Sequence, residues 1–226
     1  MPPRCSPERA ATALAVTVVD WLALAGTFAF AVSGALLAAR HRLDIIGFLF
    51  VANMTGVGGG TVRDLLLDAP VFWVQDASHI AVCSVAALLT WTAASLLDRA
   101  STAVLWADAT GIALFAVLGA QKALLAGVGP GVAVVMGIFT ACFGGIIRDV
   151  TLKEPPIIMS REIYVTATLA GALCYVLLAG LRGPHDVVAV VGGTGVGFAV
   201  RALAISARLS LPAHAGLGHK DGGAGE

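Results

Sequence analysis

Two arginine–aspartate pairs, Arg63-Asp64 and Arg148-Asp149, stand inside otherwise apolar runs. An Arg or Asp at the centre of a membrane helix costs about 2.5–3.5 kcal/mol. Each of the four must therefore face protein or water. Fixed charges so placed do the work of ion or solute passage, forming polar constrictions that a permeating species must pass. Just upstream lie Gly58-Gly59-Gly60 and Gly144-Gly145. Glycine inside a helix costs about 1 kcal/mol relative to alanine, and clusters of it permit a kink or an unwound turn. Such a break is tolerated where it lines a cavity; glycines alone also serve close helix packing. With the charges one turn on, the pathway reading is the stronger one. Asn53, Thr55 and Thr140 have two readings: oxygens lining a pore, or hydrogen bonds between helices.

Arg63 stands about 18 residues into its helix, or about 27 Å along at about 1.5 Å per residue. It belongs toward one face of the membrane and Arg148 toward the other, so an Arg63–Asp149 pair is not expected. Neighbouring residues point to different sides of a helix, and nothing requires Arg63 to pair with Asp64. The plainer alternative is that each charge ends a helix or snorkels to the interface. Asp108 faces a water-filled vestibule or lies near an interface, and Lys122 reads as a snorkelling anchor. Phe72 and Trp73 fit an interfacial aromatic anchor.

Other chemistries find no support. The four cysteines are far apart and three of them, Cys83, Cys142 and Cys174, sit in apolar runs as small packing residues. His41, His79 and His185 have no metal-ligand partner at suitable spacing. There is no phosphate loop, no HExxH and no TVGYG-like filter. An enzyme, a metal site and a cofactor are not expected. Formal net charge is zero, which gives nucleic acid nothing to attract.

The elements that must position these groups are membrane helices. Of the residues, 58% are hydrophobic and 12% charged, against roughly 25% charged in a soluble domain. Seven runs are long enough for the about 20 residues a crossing needs: Val18 to Ala39, Ile45 to Leu67, Ala77 to Leu97, Ala103 to Ala123, Gly131 to Leu152, Ile163 to Leu181 and Val187 to Ile205. Met1 to Arg9 is polar and Ala10 to Val19 apolar, as in a secretion signal. The apolar run continues past Asp20 without a convincing cleavage site, so it reads as a lead-in to the first membrane helix. Gly192-Gly193-Thr194-Gly195 lies within the seventh run and reads as packing.

Sliding the chain against itself by 85 positions aligns Trp21 with Trp106, Phe30 with Phe115, Gly59 with Gly144, Arg63 with Arg148, Asp64 with Asp149 and Pro70 with Pro155, without a gap. Both copies carry GGxxRDxxL followed three residues on by proline. Each copy holds three helices, and an odd number sends the second copy into the membrane from the opposite side. The expected fold is all-α: seven transmembrane helices as a 3+3 inverted repeat plus one additional helix. Its parts are a lead-in at 1–17, repeats at 18–97 and 98–182, a seventh helix at 183–206 and a disordered tail at 207–226. Loop charges divide seven against four, which places the N-terminus outside and the C-terminus in the cytoplasm.

The stretches GTFAFAVSGALLAARHRLDIIGF and GVGGGTVRDLLLDAPVFWV, with GIALFAVLGAQKALLAGVGPGVAVVMGIFTACFGGIIRDVTLKEPP, resemble the two repeats of the prokaryotic trimeric intracellular cation (TRIC) channels. The resemblance implies a homotrimer in a bacterial inner membrane. It implies passive potassium and sodium permeation through one pore per subunit, lined by glycine-kinked second and fifth helices. By position the kinks are Gly58, Gly59, Gly60, Gly144 and Gly145. One departure is Phe143, which stands where the first copy has Gly58. Related bacterial sequences carry the label of glycine transporters, so the alternative is a secondary transporter of glycine or another small solute.

Overall fold

Runs of apolar, mostly unbranched or small residues between short polar breaks dictate helices, and every regular element among the described residues is helical. The structure is a computed structural model that describes residues 7–93, 100–159, 163–207 and 209. Eight α-helices follow in order: α1 (Pro7–Arg40), α2 (Ile45–Leu66), α3 (Phe72–Gln75), α4 (Ser78–Ala93), α5 (Ala100–Leu125), α6 (Pro130–Thr151), α7 (Val165–Arg182) and α8 (Val187–Ser206). A 3-10 turn, Ile157–Met159, lies between α6 and α7. Six helices are long and apolar enough to cross a membrane, and α4 is a shorter apolar helix. The end expected for it near Leu97 lies outside the described residues, as do Cys5 and the C-terminal tail apart from residues 207 and 209. The lead-in is continuous with the first span, because α1 runs unbroken from Pro7 to Arg40.

Large apolar side chains face outward on several helices. Trp21, Phe50, Leu66, Leu177 and Leu203 are all exposed. Water would make that surface untenable, whereas lipid makes it ordinary. The interior is built instead from small residues and a few aromatics, led by Phe30, Phe48, Phe115 and Tyr175.

Contacts in one half of the chain recur in the other. Phe30 and Phe115, equivalent under the 85-residue shift, stack on each other at 5.4 Å. A Cβ on Gly26 would meet the Phe115 ring, and one on Gly111 the Phe30 ring. Gly34 lies against the Thr55 side chain, and Gly119 against that of Thr140. Where α2 crosses α6, a Cβ on Gly59 would overlap the Thr140 carbonyl oxygen, and one on Gly144 would lie 2.7 Å from the Thr55 carbonyl oxygen. The two backbones thus touch over a pair of glycines, the close approach that small residues permit in membrane helices.

The expectation of an unwound turn at these glycines is corrected: both helices keep α-helical structure through them. A bare α-carbon already suffices for the crossing, without an unwound turn. Gly193 and Gly197 of α8 pack against Gly171 of α7; of the Gly192-Gly193-Thr194-Gly195 segment expected to pack, Gly192 and Gly193 meet α7 side chains, whereas Gly195 faces open space.

An alanine at Gly59 gains about 1 kcal/mol of helix propensity but collides with a carbonyl that can yield only if α6 moves, at a cost of about 1–3 kcal/mol. Gly59→Ala is predicted to lower the thermal unfolding midpoint in detergent. Gly180→Ala, at an exposed position with open space around it, should hold or raise that midpoint. Equal effects from the two would contradict the crossing described here.

Candidate functional site: two buried charge clusters

Each arginine–aspartate pair sits at the end of its helix, and the chain beyond is turned in the same way both times. Helix α2 gives way to Asp68 at φ 50°, and α6 to Lys153 at φ 57°. Ala69 N–H donates to the Asp64 carbonyl at 2.9 Å, and Glu154 N–H to that of Asp149 at 2.8 Å. This six-to-one closure is the Schellman pattern with a left-handed residue, and the proline that follows stops the helix. The returning chain then donates a backbone N–H to the aspartate side chain. Phe72 N–H reaches Asp64 Oδ2 at 2.9 Å, and Ile157 N–H reaches Asp149 Oδ2 at 3.0 Å. The repeated motif is thus a helix stop whose aspartate clamps the segment eight residues on.

The other carboxylate oxygen holds the arginine. Arg63 Nε donates to Asp64 Oδ1 at 2.7 Å, and Arg148 Nε to Asp149 Oδ1 at 2.8 Å. Pairing between neighbours was not required by helix geometry. It occurs because the long arginine stem swings round to a carboxylate already fixed by the return segment. As expected, the structure forms no Arg63–Asp149 pair. Arg63 also lies over the Phe72 ring, 5.8 Å from its centre. Phe72 therefore packs inward instead of anchoring at an interface, while Trp73 Nε1 donates to Thr61 Oγ1 at 2.9 Å.

Helix α5 supplies two further charges that sequence reasoning left apart. Lys122 Nζ lies 2.8 Å from Asp64 Oδ1, which corrects its reading as a snorkelling anchor. Asp108 Oδ1 accepts from Arg148 Nη1 at 2.8 Å, and the same Nη1 donates to Ser33 Oγ. Asp108 is fully buried and takes part in this cluster rather than facing an interface. The only sequence clue to these links was that two charged residues interrupt one long apolar helix.

Each cluster borders a cavity. The first, about 280 Å³, is lined by Val19, Asp20, Arg63, Phe72, Lys122 and Leu125 among others. The second, about 220 Å³, is lined by Val104, Leu105, Arg148, Ile157, Leu37 and Arg40 among others. Those six pairs are equivalent, position by position, under the 85-residue shift in either direction. His79 and Gln121 also line the first cavity. His79 Nδ1 lies 3.0 Å from Thr27 Oγ1.

The remaining predicted residues lie elsewhere. Thr55 and Thr140 hydroxyls donate to Val51 and Met136 carbonyls in their own helices, at 2.7 and 2.6 Å. Both threonines are buried at helix crossings, and neither lines the two cavities. Asn53 Nδ2 donates to the Leu49 carbonyl, and its Oδ1 is buried without a hydrogen-bond partner. Gly58 faces the Ile147 side chain and Gly60 the Phe72 ring, while Gly145 lies 3.1 Å, measured from an ideal Cβ, from the Tyr164 hydroxyl. No group of His, Cys, Asp and Glu suited to a metal ion occurs among the described residues.

Such a fold and site define an integral membrane protein with two repeat-related charge clusters in its interior, each beside a cavity. The protein family described as "Glycine transporter" matches residues 20–95 and again residues 105–180, two segments displaced by the same 85 positions. The "UPF0126 inner membrane protein YadS" of Escherichia coli is 40% identical over 88% of this chain and 97% of its own. A TRIC trimeric intracellular cation channel orthologue from Rhodobacter sphaeroides has a crystal structure that matches with TM-score 0.82 and 43% identity, over 85% of this chain and all of that one. A second solved structure, described under conductance through TRIC cation channels, matches with TM-score 0.77 and 31% identity over 86% and 96% of the two chains. The chain belongs to the prokaryotic TRIC channel family. It is an integral inner-membrane protein.

Asp64 accepts from two cations and a backbone N–H, so its loss strands two charges. Asp64→Asn is predicted to destabilise the protein by about 3–5 kcal/mol. Lys122→Met removes a part-exposed partner and should cost less than about 1 kcal/mol. Unfolding midpoints of the two variants in the same detergent check the order; a reversed order would refute the assignment of Asp64 as the hub.

Proposed function

We propose that this protein is a channel for monovalent cations, potassium and also sodium, that passes them downhill through a pore within each subunit. The observation that carries this reading is the pair of equivalent cavities, each walled by an Arg–Asp cluster, in a chain 43% identical to a solved TRIC cation channel. The pore is lined by α2 and α6 on either side of their glycine crossing, with Arg63, Asp64, Arg148 and Asp149 at its constrictions. The subunits form a homotrimer, as the names of the matched channels state of those proteins. Matched structures are channels and not enzymes, which supports a non-enzymatic role.

The topology we propose is a 3+3 inverted repeat of seven transmembrane helices: α1, α2 and α4, then α5, α6 and α7, with α8 added. Reciprocal contacts support it, since Gly59 with Thr140 and Gly144 with Thr55 exchange under the shift. A residue stacked on its own equivalent, Phe30 on Phe115, belongs on an axis relating the halves. The N-terminus lies outside and the C-terminus inside, so the Arg63 cluster is the outer and the Arg148 cluster the inner constriction. Gly59 and Gly60 keep α2 close to α6 and to Phe72, and thereby set the width of the path.

A second reading, a secondary transporter of glycine or a similar small solute, is favoured by the description of the matching family. The two differ in kinetics. A channel gives discrete current steps in planar bilayers and potassium flux from liposomes that does not saturate at low concentration. A transporter gives saturable, ion-coupled uptake and counterflow without net current. We predict steps whose reversal follows the potassium gradient, and loss of most flux in the Gly59→Ala/Gly60→Ala double variant. Saturable glycine uptake with silent bilayers would replace the channel reading. Wild-type flux in the double variant would remove the glycines from it.

A further inference from the structure

The two clusters are equivalent by position but not by charge. Both contain one arginine and its neighbouring aspartate. Helix α5 then adds Lys122 to the first, where the equivalent position in the second is Leu37. It adds Asp108 to the second, where the equivalent position in the first is Ala23. With every group charged, the first cluster carries an excess of one positive charge and the second an excess of one negative charge. The cavity rims restore the balance in the first cavity and not in the second. Asp20 offsets the first excess, but in the second Arg40 and Glu154 cancel each other and leave it negative.

We propose that the second cluster is the station that selects cations, and that Asp108 is the residue that determines the selectivity. This rests on the channel reading above. Both arginines repel cations, and their own aspartates merely neutralise them. A negative surplus therefore has to come from outside the repeated motif, and Asp108 supplies it. The residue is fully buried, so protein surrounds it and its field is weakly screened. Its Oδ1 is held by Arg148, while its Oδ2 accepts no hydrogen bond from the protein. Arg148 Nη2 is likewise buried without a hydrogen-bond partner, and Arg148 lines the cavity. Gly145 leaves room there, for its bare α-carbon faces Asp108 Oδ1, Arg148 Nη2 and the Tyr164 hydroxyl. Asp108 stands just behind the wall of the second cavity, holding Arg148, which with Asp149 lines it. Lys122 acts in the opposite sense: it cancels the negative charge that Asp20 would otherwise give the first cavity, which is left neutral and unselective.

The test is the reversal potential of the purified full-length protein in planar bilayers across a potassium chloride gradient. Wild type should reverse near the potassium potential. Asp108→Asn should lower the potassium-to-chloride permeability ratio about tenfold, the scale of one unit charge acting across a cavity at an effective dielectric of about 20. Adding Arg148→Gln to it restores the negative surplus and should restore the ratio. Lys122→Met should raise cation conductance and leave the ratio at least as high. Should Asp108→Asn fail to fold, Leu105→Asp tests the same surplus from the rim of the second cavity and should raise the ratio. A conducting Asp108→Asn protein with the wild-type ratio overturns the assignment while leaving the channel reading intact, as does an unchanged ratio in Leu105→Asp. Wild-type protein that passes no current overturns both.

Discussion

The crossing of α2 and α6 is the contact on which the other features depend. Two backbones meet there over Gly59 and Gly144, with no side chain between them. That approach fixes the register of both motif helices. It thereby fixes where each ends, where its arginine and aspartate stand, and how far apart the two cavities lie. Hydrophobic attraction cannot hold helices together in lipid, where the tails are as apolar as the side chains. Close packing and buried polar contacts must do it, and this protein uses both. Glycines and alanines bring the helices together, and the clusters at the helix ends bind α5 to α2 and to α6.

The Arg–Asp motif has two tasks that are hard to separate by inspection of one residue. Asp64 and Asp149 each spend one oxygen on the returning backbone and the other on an arginine. The first contact stops a helix; the second holds a cation at a cavity wall. A carboxylate fixed by the backbone is a preorganised partner, so the arginine loses less freedom when it pairs. The same unit used twice provides a charged wall to each of two cavities while keeping both arginines buried.

Much of this was legible in the amino-acid sequence, for identifiable reasons. The helices followed from apolar runs, and the duplication followed from GGxxRDxxL matched without a gap. The location of charge was legible because Arg and Asp are conspicuous in lipid. The pairing was not. Asp64 finds Phe72 N–H, a backbone group that no side-chain pattern announces. Lys122 and Asp108 find partners on other helices, and their meeting depends on how α5 is rotated against α2 and α6. That rotation comes from Gly26 against Phe115, Gly111 against Phe30 and Gly119 against Thr140, contacts that become visible only once the helices are in place. The glycine clusters misled in a different way. Unwinding and close approach both call for a residue without a Cβ, so composition alone cannot choose between them. The repeat also concealed its own asymmetry, because matching residues draw the eye and Leu37 against Lys122, or Ala23 against Asp108, do not match.

A channel of this design requires that water reach both cavities and that ions follow it. Cysteine accessibility tests this most directly. With the four native cysteines replaced, Leu118→Cys would report on the first cavity, Leu105→Cys on the second and Leu173→Cys on the exposed apolar face of α7. A cationic, membrane-impermeant methanethiosulfonate reagent would be applied to channels in a bilayer while potassium current is recorded. The first two variants should react and lose current, each from its own side, while the third does neither. Cavity cysteines that react no faster than the one on α7, with current unchanged, would contradict this design.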